Sequence, residues 1–147
     1  MKSNKSFAIS RTLILVIVAA VVVVAGVAAF FLAQPGAKSF NVTARDFGFD
    51  GFTGPGPTIR VKVGDTVQIN LENKGGLKHE LVISSSNMVQ QTLFNANTGL
   101  IDPGQRTTIT FVANQAGNFF YVCFSDDGVA PKTHAELGMW GEFIVEG

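Results

Sequence analysis

Six side chains in this sequence of 147 residues carry a thiol, thioether or imidazole: one cysteine, two histidines and three methionines. Four of them fall into an order that can do chemistry. His79 opens the run His79-Glu80-Leu81-Val82-Ile83, and Cys123 lies in Tyr121-Val122-Cys123-Phe124. His134 and Met139 follow in Thr133-His134-Ala135-Glu136-Leu137-Gly138-Met139-Trp140. A soft thiolate with two imidazoles selects copper or zinc, and a weak axial thioether turns the choice towards a mononuclear electron-transfer copper. Such a metal also holds the thiol deprotonated. The bland alternatives are a cysteine buried as a small hydrophobe, a methionine filling the core and a histidine on a solvent-facing strand edge. Met1 and Met88 match no motif position.

The order His79, then much later Cys123, His134 and Met139, between short β-rich segments, resembles the cupredoxin family, whose members include plastocyanin, azurin and sulfocyanin. The resemblance covers roughly residues 38 to 147. Its segments 134–140 and 78–83 look most like the sulfocyanin branch. It implies a Greek-key β-sandwich and one copper ion cycling between Cu(I) and Cu(II), held by His79, Cys123, His134 and Met139. It also implies that His134 presents its ring edge at the surface as the electron port. One departure stands out: Cys123 and His134 are eleven positions apart, where most members connect these ligands with a handful of residues. The extra stretch is Ser125-Asp126-Asp127-Gly128-Val129-Ala130-Pro131-Lys132.

Strands must position these ligands. Ser39 to Phe47 alternates apolar and polar residues around Phe40, Val42 and Ala44, as a half-buried strand does. Gly48 to Pro57, with four glycines and two prolines, reads as a loop. Residues 58–63 and 66–71 read as two alternating strands across a Gly64-Asp65 turn. Ile59, Val61 and Val63 would form one apolar face, with Val67, Ile69 and Leu71 paired against it or packed over it. Lys74-Gly75-Gly76-Leu77 turns into the strand that carries His79. Ser84 to Pro103 reads as loop, with a short helix over 87–94 as the alternative. Arg106–Val112, Asn118–Phe124 and Trp140–Glu146 are the remaining strands. Seven or so short strands over about 110 residues, punctuated by Gly and Pro, predict an antiparallel β-sandwich. Phe119, Phe120 and Phe124 are expected to shield the metal, and shielding tunes its potential.

The apolar surplus is concentrated at one end. The 21 residues from Leu13 to Ala33 carry no charge, and at about 1.5 Å per residue they match the roughly 30 Å hydrocarbon core of a bilayer. The organisation expected is a cytoplasmic tail at 1–12, a transmembrane helix at 13–33, a linker at 34–38 and the β domain at 39–147. A cleaved signal peptide is the competing reading, although its apolar core usually runs only about 7–15 residues. Lys2, Lys5 and Arg11 precede the span, so the positive-inside rule keeps that tail in the cytoplasm and exports the rest. Beyond Gln34, eight Lys and Arg face eleven Asp and Glu, a net of −3. A domain of that charge is a poor nucleic-acid binder.

Glu80 and Glu136 stand beside ligands and are expected to be solvated acids, with metal ligation as the alternative. Asp126 and Asp127 are either a polar loop tip or an acidic docking patch for a basic partner. A catalytic type 2 copper or a trinuclear cluster needs further histidines, and a dinuclear centre needs two cysteines. On that count the chain is expected to be an electron carrier and not an enzyme. Its expected place is the outer face of a cell membrane, in a respiratory-type chain, exchanging electrons with a cytochrome complex or a terminal oxidase, tethered or as a complex subunit. The alternatives are a copper-handling protein, chaperone or store, and a structural β-sandwich subunit of a membrane complex.

Overall fold

The computed structural model describes residues 37–126, 128 and 132–147. The predicted tail, the predicted span 13–33 and most of the linker lie outside the described residues, as do 127 and 129–131 of the long ligand-connecting segment. Among the described residues no helix is long and apolar enough to cross a membrane.

Every regular element among the described residues is a strand: β1 (Lys38–Arg45), β2 (Gly48–Phe49), β3 (Phe52–Thr53), β4 (Gly56–Lys62), β5 (Thr66–Asn73), β6 (Val82–Ser84), β7 (Arg106–Val112), β8 (Gly117–Val122) and β9 (Trp140–Glu146). They form two sheets, ordered β3-β2-β1-β5-β7 and β4-β9-β8-β6. The all-β sandwich is as expected, but the sheets are mixed. β1 pairs parallel to β5, from Lys38↔Val67 to Ala44↔Asn73, and β4 pairs parallel to β9. The cause lies at Gly64-Asp65. Instead of closing a hairpin, it is the corner where the chain leaves the second sheet for the first. Val63 N donates to Glu146 O, Gly64 N to Ala113 O and Ala113 N to Asp65 O, so the corner is stitched to both sheets. Because β4 lies in the opposite sheet, β5 returns beside β1 in the same direction. Val63, expected to continue the apolar face, sits at this corner and is 46% exposed.

One other expectation changes, and the choice between loop and helix over 84–103 is decided for the loop. The glycine-rich stretch 48–57 holds the two short strands β2 and β3 and the start of β4. Segment 84–103 forms no helix; it doubles back along the His79 strand. Leu93 N donates to Ile83 O, Ile83 N to Ala96 O, Thr98 N to Leu81 O and Ile101 N to His79 O. That run covers the edge which the three-residue β6 would otherwise leave open.

Alternation decides the core. Val67, Ile69 and Leu71 of β5 and Phe119, Tyr121 and Cys123 in and after β8 point inward, meeting Val42, Ile59, Val61, Phe111, Phe143 and Val145. Opposite residues on β8 point the other way. Val122, Phe124 and Phe120 form a separate small cluster with Val82, Ala135 and Trp140. The three phenylalanines predicted to shield the metal therefore lie on two faces.

Tyr121 is the largest fully buried side chain among the described residues. Its hydroxyl donates to Pro57 O at 2.6 Å, and burial pushes its pKa up. The phenol fits because two neighbours lack a Cβ. One added at Gly141 would lie 2.1 Å from the Tyr121 ring, and one at Gly56 2.6 Å from its hydroxyl.

Candidate metal centre

The three strongest candidate ligands arrive from three different segments. Cys123 directly follows β8. Its amide donates to Met139 O at 3.1 Å, one step beyond the Val122↔Trp140 pair, so the β8–β9 ladder fixes the thiol. His79 is held by an antiparallel bridge to Ile101 just before β6. His134 opens a tight turn: its amide donates to Ser125 O, and Met139 N donates back to His134 O. Thr133 and Glu136 close that turn like a capping box. The Glu136 carboxylate accepts from the Thr133 amide at 2.8 Å and from its hydroxyl at 3.1 Å. Glu136 is thus an exposed brace of the ligand turn.

His79 Nδ1 and His134 Nδ1 are 3.1 Å apart, Cys123 Sγ is 3.8 Å from the first and 3.5 Å from the second. All three residues are fully buried, and they form a group able to hold a metal ion. A triangle with these edges has a circumradius of about 2.0 Å, against ordinary metal–imidazole bonds of about 2.0–2.1 Å and metal–thiolate bonds of about 2.3 Å. The donor set and its spacing therefore fit one transition-metal ion in a trigonal arrangement of soft sulfur and imidazole. The Glu80 amide points at Cys123 Sγ from 3.5 Å, a contact that favours the thiolate. Met139 is fully buried in the same core as Cys123, and its backbone is bonded to both Cys123 and His134.

Two expectations fail here. His134 does not present a ring edge to solvent: it is fully buried, and the half-buried Phe47 packs edge-on against it, with ring centroids 5.3 Å apart. The turn between β1 and β2 carries that phenylalanine over the site. Glu80 is not a solvated acid either. It is 7% exposed, and burial pushes its carboxyl pKa up, partly opposed by a hydrogen bond from the Phe124 amide.

Asn73 escaped the sequence reading. It is fully buried at the end of β5, in the inward register of Val67, Ile69 and Leu71. The signal was available: a lone polar residue at an inward position, immediately before the turn that delivers His79.

Comparison with known proteins agrees with this geometry. A family model described as multicopper oxidase matches residues 42–147. The copper-containing nitrite reductase of Neisseria meningitidis is 34% identical over 115 residues, which cover 72% of this chain and 26% of that protein. In structure, the copper nitrite reductase of Nitrosomonas europaea matches with a TM-score of 0.56 at 30% identity, over 74% of this chain and 42% of that one. Auracyanin A, a "blue" copper protein of Chloroflexus aurantiacus, shares the fold with a TM-score of 0.58 at 18% identity, over 76% of this chain and all of that one. The expectation that the chain stands apart from enzymes is overturned by these matches, because multicopper oxidases and copper nitrite reductases are enzymes. The inference failed for a countable reason. It rested on a histidine inventory of 147 residues, whereas the chain spans about a quarter of the length of the curated relatives it matches. An inventory of this chain does not count the ligands that the remaining parts of those longer relatives supply.

Proposed function

Because the chain belongs to the multicopper oxidase family and is a cupredoxin-like copper-binding domain, we propose that it carries single electrons to or from the redox chemistry of a copper enzyme or a respiratory complex. The observation that carries this reading is the fully buried His79–Cys123–His134 triangle, whose edges of 3.1–3.8 Å suit one copper ion. Bound copper would supply a one-electron couple. The chain's own residues do the rest. His79, Cys123 and His134 would hold the ion, with the thioether of the buried Met139 as a fourth, weaker ligand. The Glu80 amide steadies the thiolate. Phe47 and the packed core keep water from the donors. Three ligands set on a two-sheet scaffold resist rearrangement, and a site that stays put costs little to reduce or oxidise.

The uncharged run 13–33 supports an anchor in the cytoplasmic membrane with the copper domain outside. Redox partners there would be a cytochrome complex or a terminal oxidase, engaged by a tethered domain.

The test is a titration of the full chain with Cu(II), followed by visible absorption and electron paramagnetic resonance, beside Cys123→Ala. An intense thiolate-to-copper band saturating at one equivalent is expected, absent in the variant, with copper retained through reduction and reoxidation. A chain that shows no such band, or that releases copper on reduction, is not an electron-transfer domain.

A further inference from the structure

We infer that Asn73 is a positioning residue for the metal centre: its side chain holds His79 where it meets Cys123 and His134. The inference rests on the copper reading above and adds to it the residue that makes the site rigid.

An asparagine amide offers two N–H donors and a carbonyl oxygen, and Asn73 engages all of them. Nδ2 donates to Leu77 O at 2.8 Å and to Ile101 O at 3.0 Å. Oδ1 accepts from Gly75 N at 3.0 Å. Its main chain is tied as well, the amide donating to Gln105 O and the carbonyl accepting from Gly104 N. Two of these partners border His79. Leu77 lies two residues before it. Ile101 is its bridge partner, exchanging His79 N→Ile101 O at 3.2 Å and Ile101 N→His79 O at 2.8 Å. Asn73 and His79 therefore donate to the same carbonyl, and a shift of either is felt by the other.

The third partner touches the imidazole. A Cβ added at Gly75 would sit 3.0 Å from His79 Nε2 and 2.9 Å from Asp46 N, so the turn backbone lies directly against the ring. Lys74 N donates to Ala44 O, which docks the same turn on the end of β1. Asn73 thus joins the turn on one side of His79 to the Ile101 segment on the other. Packing alone would have placed an apolar residue at this inward position, as β5 does at Val67, Ile69 and Leu71. Buried amides with every group satisfied rigidify and specify one arrangement.

The experiment compares the full chain with Asn73→Asp, which presents only acceptors to two carbonyls, with Asn73→Ser, and with Val67→Ala. The last removes core at the far end of the same strand, six residues or about 20 Å away. Amide hydrogen exchange of His79 and Ile101 is measured on the metal-free chains, and Cu(II) affinity by competition with a chelator. The Asn73 variants are expected to lose roughly tenfold or more in protection at both amides and about tenfold in copper affinity, the range for residues that orient ligands. Val67→Ala should lose global stability with neither local effect. Should Asn73→Asp fail to fold, Asn73→Ser carries the comparison. Asn73 variants that only match Val67→Ala, less stable but with protection and affinity changed no more than there, would overturn the inference. A wild-type chain that takes up no copper overturns the electron-transfer reading instead, and the metal-free exchange data still decide the role of Asn73.

Discussion

Gly141→Ala tests whether the β8–β9 pairing that sets Cys123 depends on Tyr121 filling the space beside Gly141. The Cβ of an alanine there would lie 2.1 Å from the Tyr121 ring carbon and 2.2 Å from its hydroxyl, where ordinary contact begins at 3.4 Å. The ring or the strand must therefore move by about 1.3 Å. Tyr121 is 1% exposed, and moving its ring strains the 2.6 Å bond to Pro57 O. Overpacking a core costs about 1–3 kcal/mol, and a buried hydroxyl deprived of its partner about 1–3 kcal/mol more. The expected loss is about 2–6 kcal/mol, a large share of the roughly 5–15 kcal/mol that stabilises a domain. Urea unfolding followed by Trp140 fluorescence measures it, with Gly76→Ala as the control. Nothing lies within 4 Å of a Cβ at Gly76, so that change should stay within about 0.5 kcal/mol. Shortening the ring in Gly141→Ala/Tyr121→Leu should recover part of the loss, making the pair strongly non-additive. Since Val122↔Trp140 and Cys123 N→Met139 O extend the same ladder, the copper spectrum of Gly141→Ala should shift too. A Gly141→Ala chain as stable as wild type, or additive with Tyr121→Leu, would refute the packing argument.

Phe47→Ala removes the ring packed on His134; water then reaches the imidazole, and copper should pass to a chelator severalfold faster in stopped-flow, whereas an unchanged rate would mean the ring does not shield the site. Met139→Leu should keep one copper and the Cys123 band while altering the electron paramagnetic resonance spectrum, and an identical spectrum would remove Met139 from the ligand set. Asp65 has its pKa lowered from the ordinary 3.8, first by its hydrogen bond with Lys38 and then by the Lys62 amide. A carboxyl depressed in the fold contributes stability that is full above 3.8 and lost as pH falls through the lower folded value. Asp65→Asn should therefore lower the urea midpoint at pH 7, and the gap to wild type should close in acid; a gap constant with pH would show that the charge is not what acts.

Much of the site was readable because its donors are rare. With only two histidines and one cysteine in the chain, any soft metal site had to use nearly all of them, and the structure brings all three together. The strand faces were readable for a similar reason: alternation in 58–63 and 66–71 reports which side chains turn inward. Alternation does not report the sheet. A two-residue link between alternating runs serves equally well as a hairpin or as a corner between sheets, and only the distant partners Glu146 and Ala113 make Gly64-Asp65 a corner. The mixed sheets follow from that one decision, which is why parallel pairing was missed.

What sequence reasoning missed at the site shares a physical cause. The burial of His134, the burial of Glu80 and the role of Asn73 all depend on segments far apart in the chain: Phe47 from the first turn, Phe124 after β8, and Ile101 from the segment that doubles back. A ligand's type is local, whereas its exposure and rigidity are set by whatever packs around it. On the electron-transfer reading proposed above, the burial of His134 beneath Phe47 would route electrons through that phenylalanine and its surroundings, and a redox partner would dock on a surface that includes the β1–β2 turn. Partner exchange rates in Phe47→Ala should then change while the rates of an Asp126→Asn chain, altered in the long loop instead, stay near wild type at high salt, where charge steering is screened.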